Sequence, residues 1–522
     1  MPIVQQGAVN TTALVVPDLY VQIVPPQNLV LNGVPTNVVG VVGTASWGPI
    51  GQPVVIGTMA DYAAAFGPIM PREYDMATPV AAAVQQGAAN FRCVRVTDGT
   101  DSAAEFQLPS TSFMLTAFYT GSLGSQITIA LTTGSQANTW RFAVWLPGGQ
   151  IELFDNIGGT GTTFWQNLQN VINNGQGPQR GPSKIVVANA GGTAIAPAAF
   201  EFTFASGTPG KDGASVTAAN LVGIDQLPRT GMYALRGQGC SIALLADASD
   251  SSQWTVQAAF GLSEGIYLIL CGPSGDTIAN AVSVKQTAGL DSYTCKLMFG
   301  DWLWWNDQVN QTMRLVSPQG FVAGRLANLS PEQSSLNKPL YGVVGSQKSG
   351  APATGQTNTY SAAELQTLFQ AGIDVIANPQ PGGYYWGVRC GHNSSSTAAT
   401  NTDSYSRLTN YIAATLAAGM GLYVGQVING SLLQRIRATQ LNFLQNMLSQ
   451  GMLGSVDGTR PFSVICDASN NPQSRTSLGY VQSDAQIQYQ AINEKFIVNI
   501  EGGQTVTVMQ QALANGTNPV AG

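Results

Sequence analysis

Charge is the scarcest feature of this chain. Its 522 residues carry 22 Lys and Arg and 28 Asp and Glu, 10% in all, with a net charge of −6. A globular chain averages about 25% charged residues, and a soluble surface about 25–35%. The first basic residue is Arg72 and no basic run follows it. The electrostatic footprint of a nucleic-acid binder is therefore missing. So is the positive start of a secretory signal. Long uncharged stretches such as 106–140 are broken by Ser, Thr, Gly, Gln and Pro. None reaches the ~18 apolar residues of a membrane span. The expectation is a soluble chain made in a cytosol, without direct membrane insertion.

Chemistry-bearing residues are also few. The one histidine, His392, lies in a polar stretch, 391–402. A histidine-built metal site is excluded by count. Without a Gly-x-Ser-x-Gly elbow or a recognisable cysteine nucleophile, a lone loop histidine makes no catalytic centre. The six cysteines, Cys93, Cys240, Cys271, Cys295, Cys390 and Cys466, show no CxxC spacing. They read as reduced, mostly buried small hydrophobes. One phosphate-loop near miss runs from Ala205 to Asp212. Ala205 stands where the first glycine belongs, and Asp212 where the magnesium-binding hydroxyl belongs. It reads as a Gly/Pro turn. No catalytic, cofactor or metal residue is expected.

What is present is apolar and glycine-rich. Hydrophobic residues make up 44% and glycines number 59, too apolar for a disordered chain and without a collagen period. Prolines at 17, 25 and 26 make residues 1–34 an extended arm. Strands are expected at 38–42, 53–57 and 91–96, with helices at 58–66 and 78–87, an α/β opening. Residues 97–204 shift to Thr, Ser, Gly and aromatics in period-2 alternation, as in 126–131 and 140–145, with one helix near 163–172. Apolar runs at 241–246 and 266–271 fit buried parallel strands. Ser361 and Glu364 form a capping box, with Leu365, Leu368 and Phe369 as the buried face of its helix. Strands at 373–376 and 384–390 and helices at 403–418 and 431–448 follow. Arg435 and Arg437 point off the apolar stripe of the last helix, either as a solvated face or as a contact with an acidic partner. Segments 495–500 and 504–508 form a hairpin or add as strands to a neighbour's sheet edge.

The order of these segments resembles the sheath proteins of contractile phage tails, a family that includes R-type pyocin and type VI secretion sheaths. Pro17-Asp-Leu-Tyr-Val-Gln22 is similar to the family's N-terminal arm. Val39-Gly-Val-Val-Gly43, Gly48-Pro49, Pro53-Val-Val-Ile56, Arg92-Cys-Val-Arg-Val96 and Gly210-Lys-Asp-Gly213 follow its order. So do Ala288–Tyr293, Ser317–Gly324, Tyr384–Arg389, Leu433–Arg437, Gly451–Gly454, Val464–Asp467 and Phe496–Val498. Asp18 departs from the usual glycine of the arm, Gly210 lacks an adjacent glycine, and Cys390 stands where threonine is common. Residues 97–204 match poorly.

The resemblance implies a mixed α/β, multi-domain structural protein that is not an enzyme. Copies would stack as hexameric rings around a tail tube and contract to drive it through a host envelope. The implied division is an arm at 1–34, a middle α/β domain at 35–96 plus 205–350, an inserted outer β-rich domain at 97–204, and an inner core with C-terminal arm at 351–522. Strand exchange between subunits would use Leu19, Tyr20, Val21, Ile23, Phe496, Val498, Ile500, Val506 and Val508. Arg435 and Arg437 are the candidate tube contacts. Implied partners are other copies, the tube protein, and baseplate and terminator proteins. A surface-array or adhesin protein is the competing class, and an α/β enzyme the third.

Overall fold

The computed structural model describes residues 5–6, 22–23, 31–149, 151–351, 358–500 and 502. The chain divides into two compact units, 1–490 and 491–522. Every helix and strand among the described residues lies in the first. Two short strands, β1 (Gln5–Gln6) and β2 (Gln22–Ile23), pair in parallel. Then come β3 (Val39–Gly43), β4 (Pro53–Ile56), α1 (Met59–Phe66), α2 (Ala77–Gln85) and β5 (Phe91–Arg95). Thr58 and Asp61 cap α1 reciprocally, and Gly67, at φ +89°, ends it.

After β5 the chain leaves for a β-rich insertion. Strands β6 (Ala103–Gln107) and β7 (Met114–Thr120) precede β8 (Thr128–Thr133), β9 (Trp140–Trp145) and β10 (Ile151–Ile157). Helix α3 (Thr162–Asn174), β11 (Val186–Asn189) and β12 (Phe200–Thr203) complete it. The strands form two antiparallel sheets, ordered β11-β7-β6 and β10-β9-β8-β12. Period-2 alternation turns Leu115, Ile129, Leu131, Phe142, Val144 and Phe154 into a shared core with the buried face of α3.

The chain returns through α4 (Ala218–Val222) to β13 (Ile242–Leu245), α5 (Trp254–Glu264), β14 (Tyr267–Cys271), α6 (Ile278–Ala288) and β15 (Cys295–Met298). A small antiparallel sheet, β17-β16-β18, follows from β16 (Leu303–Asp307), β17 (Thr312–Val316) and β18 (Val343–Ser346), with α7 (Gln319–Ala327) between the last two. Helix α8 (Ala362–Gln370) leads to β19 (Ile373–Asp374) and a short pair, β20 (Ile376–Ala377) and β21 (Gly387–Val388). Helices α9 (Asp403–Met420) and α10 (Gly430–Ser449) precede β22 (Phe462–Ile465), α11 (Gln473–Thr476) and β23 (Asp484–Ile487).

The organising element is a seven-stranded sheet ordered β19-β15-β14-β13-β3-β5-β4, parallel except for β4. Both faces are covered, so its strands are apolar on both sides. Val39, Val41, Ile242, Leu244, Tyr267 and Ile269 enter one core with α1, α2 and α7. Val38, Val42, Ala243, Leu245, Leu268 and Leu270 enter the other, with α4, α5 and part of α8. Glycine sets one helix contact: a Cβ at Gly324 of α7 would stand 2.4 Å from the Ala83 Cα of α2. Only a bare backbone lets these helices approach so closely.

A separate core forms near the C-terminal end of the first unit. Leu408 and Ile412 of α9, Phe443, Leu444 and Met447 of α10, and Phe462 and Val464 of β22 pack around Leu31. The N-terminal stretch is tied to α9 here: Val34 N–H donates to Thr415 Oγ1 at 3.2 Å.

Three expected strands differ. The segment 373–376 splits into β19 and β20, which belong to different sheets. The Asp374 carboxylate takes the Val375 amide at 2.8 Å, withdrawing it from the ladder. Of 384–390 only Gly387–Val388 is strand, because Gln380 and Gly383 form a tight turn just before it. Lys495–Ile500 carries no strand, and 504–508 lies outside the described residues.

Candidate functional site

The sheet and the C-terminal helices are joined by a buried ion cluster. Lys296 sits on β15 with its side chain wholly enclosed. Its ammonium meets Asp374 at 2.6 Å and Asp403 at 3.2 Å, and donates to the His392 carbonyl at 2.9 Å. Asp374 also accepts the amides of Cys390 and Gly391 at 3.0 and 2.7 Å. Asp403, in the first turn of α9, accepts the Tyr267 hydroxyl at 2.5 Å, the Ser335 amide at 3.2 Å and the Ser335 hydroxyl. Burial works against the Lys296 charge; the two carboxylates outweigh it and hold its pKa above the usual lysine range. Burial likewise pushes Asp403 up; Lys296, Ser335 and Tyr267 outweigh it and hold the carboxyl below its usual range. These are hydrogen-bonded buried charges that clamp segments far apart in sequence. Sequence reasoning missed the cluster. Its one signal is a lysine inside the apolar run 295–299.

Nearby, Arg407 of α9 is buried and donates to the Leu329 and Ser330 carbonyls at 2.7 and 3.1 Å. Burial lowers its pKa to about 10.

The candidate exchange residues fall into three groups. Leu19, Tyr20, Val21, Val506 and Val508 lie outside the described residues. Ile23 is in β2, paired with Gln6. Phe496, Val498 and Ile500 are 82%, 62% and 87% exposed, an uncommon setting for three large apolar side chains within five residues. Arg435 and Arg437 lie exposed on α10, off the face that carries Leu433, Ile436 and Phe443. Arg437 Nε donates to the Val464 carbonyl of β22 at 3.0 Å, and Arg435 reaches Gln426 at 2.8 Å.

The phosphate-loop near miss is a packed turn. A Cβ at Gly210 would collide with the Gly121 carbonyl at 2.1 Å. Asp212 accepts the Ser122 amide and hydroxyl at 2.6 and 2.8 Å and pairs with Arg72 at 2.5 Å. An acidic group already fills the position where a phosphate would have to approach. Five cysteines are buried and Cys390 is half-buried. Burial pushes the Cys240 and Cys295 thiols up to about 12. Among the described residues, no group of three or more His, Cys, Asp or Glu is placed to hold a metal, and no helix is long and apolar enough to cross a membrane.

No family model matches the chain, and no curated protein matches it in sequence. Solved structures match it in fold. The sheath tail protein of Desulfitobacterium hafniense aligns with a TM-score of 0.57 at 15% identity, over 85% of this chain and 93% of that one. A sheath tail protein of Listeria innocua gives 0.58 at 15% identity, over 83% and 89%. The sheath of an extracellular contractile injection system, PVC, in its contracted state gives 0.53 at 13% identity, over 95% and 98%. Over most of its length, this chain has the mixed α/β fold of contractile tail sheath proteins.

Proposed function

We propose that the chain is the structural subunit of a contractile tail sheath, in a phage particle assembled in the host cytoplasm. Copies stack as hexameric rings around a tail tube, and contraction drives the tube through the host envelope. The observation that carries this reading is fold likeness to sheath subunits along nearly the whole chain. The exposed apolar run Phe496–Ile500 supports it, since such a run suits burial against a neighbouring copy. The division proposed is a joining arm at 1–34, a middle domain at 35–96 plus 205–350, an outer insertion at 97–204, and an inner core with its arm at 351–522. No catalytic step is required. The extended sheath is a kinetically trapped state that relaxes to a more stable one. The likeness to the PVC sheath favours a second reading within the same class, the sheath of an extracellular injection system.

Negative-stain microscopy of the purified protein tests the class. Long hollow tubes are expected. Flat lattices would favour a surface-array protein, and monomers at every concentration would count against both. Partners proposed are the tube protein and the baseplate and terminator proteins, without nucleic acid. Arg435 and Arg437 are proposed to face an acidic patch on the tube. Reversing both charges to Glu is expected to weaken co-assembly with tube about tenfold, as loss of roughly 1.4 kcal/mol would, while tube-free sheath forms as before. Unchanged co-sedimentation with tube rejects that role.

A further inference from the structure

The insertion leaves and rejoins the sheet through a junction rich in buried donors without acceptors. Arg95, the last residue of β5, is fully buried. Its Nη1 donates to the carbonyls of Gly48 and Thr120, both at 2.8 Å. Its Nε and Nη2 are buried and meet no acceptor among the described residues. Arg72 spends Nη1 on Asp212, and its Nε and Nη2 are buried and unpartnered in the same way. The Thr120 and Tyr62 hydroxyls share that condition. Both guanidiniums reach one turn, 120–122: Arg95 through the Thr120 carbonyl, and Arg72 through Asp212, which holds Ser122.

The charges are not paired one to one. Asp212 is at ion-pair distance from Arg72, and Arg95 has no ion pair among the described residues. Asp212 and, more weakly, Asp101 act on Arg95 from longer range. Asp75, also 1% exposed, has one unpartnered oxygen. Burial pushes its carboxyl up to about 7 against the pull of Thr78 and Arg72, so its charge is only partly expressed near neutral pH. A buried cation without a direct ion pair, and buried N–H groups without acceptors, are both costly. Water would satisfy the donors but not the charge. We propose that Arg95 and Arg72 bind a small inorganic anion, of halide or phosphate type, at the root of the insertion.

The test titrates the purified chain with chloride and, in a second arm, with inorganic phosphate, gluconate holding ionic strength constant. Melting temperature and the 35Cl linewidth are followed. A saturable rise of about 2–4 °C is expected at roughly a hundredfold excess over the dissociation constant. It is expected to vanish in Arg95→Met and in Arg72→Met. A response to chloride, with 35Cl broadening, assigns a halide-sized site, and a response to phosphate alone a tetrahedral one. Flat melting in both arms, with a linewidth equal to protein-free buffer, overturns the proposal and leaves the donors to water. A response that survives both substitutions puts the ion elsewhere and overturns it too. Arg72 is partly exposed, so its variant keeps the test open should Arg95→Met fail to fold.

Discussion

Lys296→Met is expected to lower the unfolding free energy by about 3–5 kcal/mol, because it strands Asp374 and Asp403 as buried charges. Both carboxylates are under 3% exposed and cannot recover water without opening the contact between β15 and α9. Denaturant melts of the monomeric chain measure the loss, and a value below about 1 kcal/mol would show that the cluster is no net clamp. The pH dependence has a definite sign. Asp403 has a lowered folded pKa, so its contribution is present above the unfolded carboxylate value and disappears as pH falls through the folded one. Lys296 has a raised folded pKa, so its contribution is full below the unfolded lysine value and disappears as pH rises through the folded one. Between these limits, from about pH 5 to 9, the cost of the substitution is expected to stay flat.

Removing residues 491–522 is expected to abolish polymerisation while leaving a folded monomer. Residues 1–490 hold every described helix and strand and all five apolar clusters, so the truncated chain keeps its cores. What it loses is Phe496, Ile497, Val498 and Ile500, each more than 60% exposed. Burying such side chains is worth about 1.5–3 kcal/mol each, less the ordering and association costs that keep area from converting directly into affinity. A net loss of even about 4 kcal/mol per contact weakens each contact roughly a thousandfold, and a helical stack repeats that contact at every subunit. Sedimentation and far-ultraviolet circular dichroism check both halves of the statement. Deleting residues 1–24 is expected to act in the same direction through the other arm. Normal tubes from either truncation would remove that arm from the assembly mechanism.

Local signals were the legible part. Ser361 and Glu364 specify a cap that forms as expected. The strand expected at 140–145 follows from alternation, and the helix expected from 403 forms with Thr402 as its cap. The α/β class follows from unbroken apolar runs buried on both faces. Long-range pairing was less legible. Strand β23, Asp484–Ile487, is polar in sequence and exists because β22 offers it a ladder, pairing Phe462 with Ile487. The Lys296 cluster joins residues whose separation in sequence gives no local signal. Of the candidate site, Phe496–Ile500 is legible in sequence as an apolar run, and its described apolar side chains are exposed. The junction donors Arg72 and Arg95 look in sequence like ordinary charged residues.

The insertion has a consequence for how such a chain can change. Its outgoing and returning strands are stitched side by side, Ser102 bridging Lys211 and Glu105 bridging Thr208. To the seven-stranded sheet, the whole excursion is one short loop with adjacent ends. Loop-closure cost rises by only about 0.6 kcal/mol per doubling of length. What hangs beyond the stitch can be enlarged, trimmed or exchanged like a cassette while the register from β3 to β15 stays as it is.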